Sequence, residues 1–411
     1  MRAPHSQRRR GFIRLALALI LVAAAVWAGY VVRDKRLALS DLQSWFTTPK
    51  PIGIRGGDAL ERLGIGPDEV RPPDPSAAVR FIGITQYLNG SKAVVTHTAD
   101  DSSPKVPETI AALDRYDIKA TFFISTRRGP VEELWPLLAK AANNGHEIGS
   151  HARTHPCQFP PSRSFCTLAY SDDELRGSRD DILAHVGQPH VWSFAYPCGL
   201  CSEYPFVRDK LAHAGYLVAR IYPDEENGGH LLPDMNTWDT NRYQATYTQA
   251  VQNKGGIAPD GRTDVSEINA KFDEVYQSGG IYNFLTHPNW LDFGEDAFYR
   301  RHLQYIARRE DIWYVPMGPL YAYHTATEHT KVHPLGQGRF AVVHDLDTGV
   351  FPNSVTLEFE ISADVAQVKT GDRIIAATLA GPTYGWDHEF YRVAGNRLFV
   401  TLQPNTVLDI R

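Results

Sequence analysis

Two histidines stand four residues apart in Ser150-His151-Ala152-Arg153-Thr154-His155-Pro156, and the closing proline stops any regular element. At that spacing both imidazoles can turn a ring nitrogen toward one point, from a helical turn or a tight loop, which suits a divalent cation with N and O ligands. A His-x-x-x-His pair alone is common in solvated loops. Elsewhere the chain holds what the pair lacks: adjacent carboxylates at Asp100-Asp101 and a late histidine, His287. Together they supply an oxygen ligand, a second carboxylate to accept a proton, and an imidazole to deliver one, the inventory for hydrolysis of an amide or ester.

Each of these residues follows a run that reads as a strand. Ala93–Thr96 precedes Asp100-Asp101, Glu147–Gly149 runs into the histidine pair, and Gly280–Leu285 ends at Thr286-His287-Pro288. Further strands are predicted at Ala120–Ile124, Val191–Tyr196, Tyr216–Ile221 and Ile312–Pro316, with helices over 107–116, 131–144, 171–186, 203–214, 264–277 and 296–309. Strands alternating with amphipathic helices imply a parallel sheet or α/β barrel, whose post-strand loops converge on one face. From about residue 326 the pattern becomes short strands (339–343, 355–361, 373–377, 397–401), as in a small β-sandwich.

The composition is that of a folded protein: 411 residues, 43% apolar and 22% charged. The net charge of −5 is uneven, because residues 1–36 carry eight Lys/Arg against Asp34 and the remainder is left with −12, which argues against nucleic acid as a partner. Arg8-Arg9-Arg10 before the charge-free run Leu15–Val32 reads as a signal or membrane anchor, and Arg9-Arg10-Gly11-Phe12-Ile13-Arg14 is similar to a twin-arginine export motif. The expectation is an exported chain, tethered to an inner membrane and facing the periplasm or cell exterior, or secreted after cleavage. Four cysteines then allow two disulfides; the eight-residue gap in the first pair disfavours a zinc ribbon, Cys198–Cys201 lacks the helix N-terminus of a redox Cys-x-x-Cys, and the preferred pairing is the local loops Cys157–Cys166 and Cys198–Cys201. Residues 33–92, rich in Pro and Gly, read as a stalk or wrapping segment.

Over roughly residues 90–325 the chain resembles the polysaccharide deacetylase family, carbohydrate esterase family 4. Thr98-Ala99-Asp100-Asp101-Ser102 is similar to its first motif, His151–Pro156 matches the second, Phe194-Ala195-Tyr196-Pro197-Cys198-Gly199 the third, and Leu285-Thr286-His287 the fifth. The third motif's Arg is Ser193 here, with Arg220 on the next strand as the substitute charge. Asp234-Met235-Asn236-Thr237-Trp238 lacks the second Asp of the fourth motif. The resemblance implies a distorted (β/α) barrel with the small C-terminal β-sandwich appended: anchor 1–32, linker 33–89, deacetylase-like domain 90–325 and β-rich accessory domain 326–411.

It also implies roles. Asp101, His151 and His155 would hold a divalent metal, with Zn2+ the expected ion. Asp100, steadied by Arg220, would take a proton from water. The Cys198 amide would support the oxyanion, and His287, kept protonated by a neighbouring carboxylate, would protonate the leaving group, giving a bell-shaped pH–rate profile. The implied activity is removal of acetyl groups from an N- or O-acetylated polysaccharide at the bacterial envelope. Two other readings stay open: a catalytically impaired glycan-binding module and a metal-dependent amidase on a non-sugar substrate. Trp290 and Tyr282, flanking His287, are candidates to stack on a sugar ring or simply to pack.

Overall fold

Strand parity decides which residues face the site. In the computed structural model, which describes residues 58–202, 204–220, 243–245, 265–378 and 387–411, strand β2 (Ala93–Asp100) is buried throughout. Ala93, Val95 and Ala99 join the apolar layer beneath the helices, whereas Val94 joins a second cluster on the other side. Side chains alternate along a strand, so Thr96, Thr98 and Asp100 share the face of Val94. That inner face repeats along β3 (Ala120–Ile124), with Phe123 inside and Phe122 outside, and along β6 (Val218–Arg220), with Val218 inside and Ala219 outside.

The remaining strands of this sheet are β4 (Glu147–Ser150), β5 (Ser193–Ala195), β7 (Tyr243–Ala245), β8 (Ile281–Thr286) and β9 (Ile312–Tyr314). The order is β6-β5-β4-β3-β2-β8-β7, every pairing parallel, and β9 joins the first half of β2 below β3. Four strand spacings separate β6 from β2, about 19 Å in a flat sheet. Arg220 of β6 nevertheless forms an ion pair with Asp100 of β2, so the sheet is rolled, as a distorted (β/α) barrel requires. Close approach inside the roll needs Gly149, where a Cβ would lie 2.7 Å from both the Phe123 ring and Ser193 Oγ.

Helices α1 (Val106–Arg115), α2 (Val131–Asn143), α3 (Arg163–Ala169), α4 (Asp172–Val186), α5 (Pro205–Ala214), α6 (Ser266–Ser278) and α7 (Phe298–Ile306) belong to the crossover connections between the strands. Helix α8 (Met317–His329), almost wholly buried, leads into the β-layer. There β1 (Val79–Ile84), β12 (Val355–Ile361), β16 (Arg397–Leu402) and β15 (Phe390–Ala394) form one antiparallel sheet. A second holds β10 (Lys331–Gly336), β11 (Arg339–Val343), β17 (Thr406–Ile410), β13 (Val368–Thr370) and β14 (Arg373–Ile374). Phe340 of one sheet packs 5.0 Å, centroid to centroid, from Phe359 of the other, which makes the pair a sandwich. Residues 79–84, within the stretch read as linker, are thus a sandwich strand, paired with β12 almost three hundred residues later. The charge-free run Leu15–Val32 and the arginine motif lie outside the described residues, among which no helix is long and apolar enough to cross a membrane.

The sandwich covers the starting ends of the barrel strands. Glu147, first residue of β4 and buried, accepts bonds from the Gly318 N–H in the first turn of α8 and from the hydroxyls of Thr121 and Ser193, all at 2.8 Å. A carboxylate at a helix N-terminus is favoured by the orphan amides and the dipole there. Replacing Glu147 with Ala strands those donors and is expected to cost about 3 kcal/mol. A urea midpoint equal to that of the parent protein would show that this carboxylate does not hold the junction.

Candidate active site

At the opposite ends of the same strands the five residues picked out by spacing come together. Asp100 closes β2 and Asp101 begins the turn after it with φ 78°, a left-handed backbone that re-aims its carboxylate relative to its neighbour. His151 follows β4, and its loop carries two more left-handed residues, Ala152 (φ 61°) and His155 (φ 57°). Asp101 Oδ1 lies 3.4 Å from His155 Nε2 and 3.9 Å from His151 Nε2, and Asp101 Oδ2 lies 4.0 Å from His287 Nε2. The three ligand atoms of Asp101, His151 and His155 fall within 4.8 Å of one another. Tetrahedral ligands about 2.1 Å from a zinc ion sit about 3.4 Å apart, so this donor set fits a divalent cation. His151 Nδ1 is 2.8 Å from the Ala195 carbonyl, which makes it the protonated nitrogen and leaves Nε2 as a lone-pair donor.

Asp100 and Arg220 are 2% and 1% exposed and paired, with the guanidinium also 5.1 Å over the Phe123 ring. Burial alone pushes the Asp100 carboxyl up, but Arg220, His151 and His287 more than reverse this, and the net shift is downward. Asp100 is therefore a carboxylate at neutral pH. For His287 the balance runs the other way. Burial lowers its pKa, Asp100 and Asp101 raise it less, and the result is below the ordinary imidazole value. The expectation that a neighbouring carboxylate keeps His287 protonated is thus outweighed by desolvation. His155 is lowered to about 4, by burial first and His151 second, as a metal-ligating imidazole needs to be neutral.

The loop bearing the histidines is clamped from α4. Glu174 accepts from the Arg153 and Thr154 N–H groups, both at 2.9 Å, and from the Thr154 hydroxyl at 2.6 Å. Asp181 takes two bonds of 2.8 Å from the Arg153 guanidinium, and Asp173 pairs with it as well. The guanidinium lies flat on the helix because residue 177 is glycine: a Cβ there would meet Arg153 Cζ at 2.5 Å. None of these clamps was apparent from spacing. The acidic run Asp172-Asp173-Glu174 opens α4 after the cap Ser171, and within it Asp173 and Glu174 also anchor the loop.

The disulfides are Cys157–Cys198 and Cys166–Cys201, not the two local loops expected. Chain spacing misled here because the loop after β4 and α3 fold over the turn after β5, bringing Cα atoms 41 and 35 residues apart to 5.9 and 5.7 Å. Cys157–Cys198 therefore ties the histidine loop, and Cys166–Cys201 ties α3, to the turn of Cys198, itself left-handed at φ 54°. Trp290 stacks on the His287 ring, 4.5 Å between centroids, whereas Tyr282 is a core residue whose hydroxyl bonds His302, 2.8 Å away. His97, His146 and His190 are structural: His97 bonds the Tyr299 hydroxyl, His146 the Ala120 N–H, and His190 stacks on Trp192. The Asp234–Trp238 segment lies outside the described residues.

A rolled parallel sheet whose strand ends gather a carboxylate, two imidazoles and a buried Asp–Arg pair defines an α/β barrel with its candidate site at one end of the strands. Residues 88–219 match the family model for polysaccharide deacetylase. Among solved structures it is similar to a polysaccharide deacetylase from Bacillus cereus (15% identity, 55% of this chain and 92% of that one, TM-score 0.36). It is also similar to a family 4 carbohydrate esterase from Streptomyces lividans in complex with acetate (18%, 53% and 88%, TM-score 0.36). A third is the chitin deacetylase of the fungal pathogen Colletotrichum lindemuthianum (16%, 58% and 91%, TM-score 0.37). No curated protein matches the sequence.

Two measurements probe this geometry. Glu174→Ala frees the loop that carries His155, and metal affinity, read by competition with a chromophoric chelator, is expected to fall about 10- to 100-fold; undiminished affinity would mean the clamp is idle. Arg220→Met leaves Asp100 buried and unpaired at an expected cost of about 3–5 kcal/mol, and adding Asp100→Asn should return part of it. Additive losses in denaturant titrations would show that the two side chains do not depend on each other.

Proposed function

We propose that this protein is an exported, metal-dependent hydrolase that removes acetyl groups from an N- or O-acetylated polysaccharide of the bacterial envelope. The observation that supports it most is the triangle of Asp101, His151 and His155 beside the Asp100–Arg220 pair and His287, all at one end of one sheet. Zn2+ held by Asp101, His151 and His155 would supply Lewis acidity toward the acetyl carbonyl.

The chain's own groups account for the proton traffic. Asp100, ionised at neutral pH, accepts a proton from the attacking water as the new C–O bond forms. Arg220 keeps that carboxylate charged and aimed. The Cys198 N–H, needing no particular side chain, donates to the oxyanion. His287, stacked on Trp290 and acting in its protonated form, passes that proton to the departing nitrogen or oxygen as its bond to the acetyl carbon breaks, the proton held by Asp100 restores the charge balance, and acetate and a free amine or hydroxyl leave. Two disulfides between site loops suit an oxidising compartment outside the cytoplasm, and the run Leu15–Val32 would serve as signal or anchor.

Acetate released from acetylated glycan oligomers is the direct test. Asp100→Asn should lower the rate by about 10²–10⁴ with glycan binding retained. Chelation should abolish release, and Zn2+ should restore it. Glycan binding with no release from the parent protein would favour a binding module, and release from acetylated amines other than sugars, at higher kcat/KM, would favour an amidase.

A further inference from the structure

On the side of the sandwich away from β14 and β15, the edge strands β1 and β10 flank a cleft of about 380 Å³. Segment 71–81 forms one wall, stitched to the hairpin β10–β11 by the Arg71 N–H to Pro334 carbonyl bond of 2.8 Å. The floor is apolar, with Phe81, Val332 and Pro334, while the charged groups facing it are Arg71, Arg80, Arg339 and Asp74. Arg80 is neutralised by Glu360. Asp74 accepts from the Ser76 hydroxyl and N–H at 2.7 and 2.8 Å, which holds its pKa down and keeps it a carboxylate. Arg71 and Arg339, both exposed, have no carboxylate partner among the described residues. Two unneutralised guanidinium groups on one apolar cleft stand out in a chain whose residues 37–411 carry −12.

We propose that this cleft binds an acidic saccharide, a uronate-bearing stretch of polymer. The proposal rests on the reading above only in taking the partner to be a polysaccharide. A sugar ring offers an apolar C–H face to Phe81 and the prolines, and its carboxylate matches the planar fork of a guanidinium. The volume lies within the usual range of small-ligand sites, about 300–1,000 Å³. The cleft belongs to the layer that covers the starting ends of the strands, whereas His151 and Asp100 sit at their finishing ends, so it holds polymer without taking part in turnover.

Calorimetric titration of the whole protein with a tetragalacturonate, a neutral N-acetylhexosamine tetramer and an acidic peptide tests this. The uronate oligomer is expected to bind at least about tenfold more tightly than the other two, and Arg71→Ala with Arg339→Ala to abolish that preference. Each single substitution, on an exposed side chain, serves if the double variant does not fold. Acetate release from a short neutral substrate should be unchanged in these variants. Equal binding of the neutral tetramer or of the peptide, uronate affinity indifferent to both substitutions, or no saturable uronate binding overturns the proposal. Uronate binding that depends on the two arginines, in a protein releasing no acetate from any glycan, would sink the deacetylase reading and leave this site standing.

Discussion

The rolled sheet is closed electrically as well as sterically by one buried pair, Asp100 with Arg220. A carboxylate at 2% exposure would protonate or unfold the region if left alone, and a guanidinium at 1% exposure has no route to neutrality. Each makes the other tolerable, and because they stand four strands apart in sheet order, their contact demands curvature. That curvature brings the ends of β2, β4 and β8 around one hollow. Register places Arg220 beside Ala195, two residues nearer the rim than Ser193. A charge delivered from β6 therefore reaches Asp100 while position 193 is free to serve the junction at Glu147. Moving the arginine one strand over separates the charge partner of the site from the support of the strand below it.

The histidine loop illustrates a second constraint, the cost of unusual backbone. Asp101, Ala152, His155 and Cys198 all adopt left-handed conformations without being glycine, each disfavoured by about 1–3 kcal/mol, and all four lie in the turns that follow β2, β4 and β5. Such geometry persists only when surroundings over-determine it. Glu174 takes both amides between Ala152 and His155, Asp181 pins the intervening guanidinium, and Cys157–Cys198 fastens the far end to the turn after β5. Positive φ at Asp101 and His155 turns the Asp101 carboxylate and the His155 imidazole out of the directions a continuing strand would impose, and their ligand atoms meet at 3.4 Å.

Much of this was legible in the linear chain, because the strands that lead to Asp100, His151 and His287 alternate with amphipathic helices, and a parallel sheet places their ends on one face whatever its curvature. Arg220 was legible only through the family's third motif, since nothing local distinguishes it from any arginine after a strand. The disulfide pairing was not, because local spacing carries no information about a loop and helix folding back over a neighbouring turn. Strand β1 was hidden in a Pro- and Gly-rich stretch whose partner, β12, lies near the other end of the chain. Glu174 and Asp181 sit about 20 and 28 residues from their partners on a helix whose polar face reads as solvated. What pattern recognises is direction along an element; what it cannot see is which polar group another element will need.

That distinction bears on how the protonation states are set. Carboxylate proximity alone would leave His287 cationic, yet the ring is packed against Trp290 and enclosed, and desolvation acts on an ion whatever its neighbours. Asp100 resists the same desolvation because its cation is in contact, while Asp101, the carboxylate nearest His287, stands 4.0 Å away and is itself shared with two other imidazoles. On the proposed mechanism, one acid group held ionised by a committed partner and one imidazole eased toward neutrality by enclosure act as two proton carriers separated by environment, not by residue type. The imidazole can then release a proton readily once it has one, which is the direction a leaving group requires.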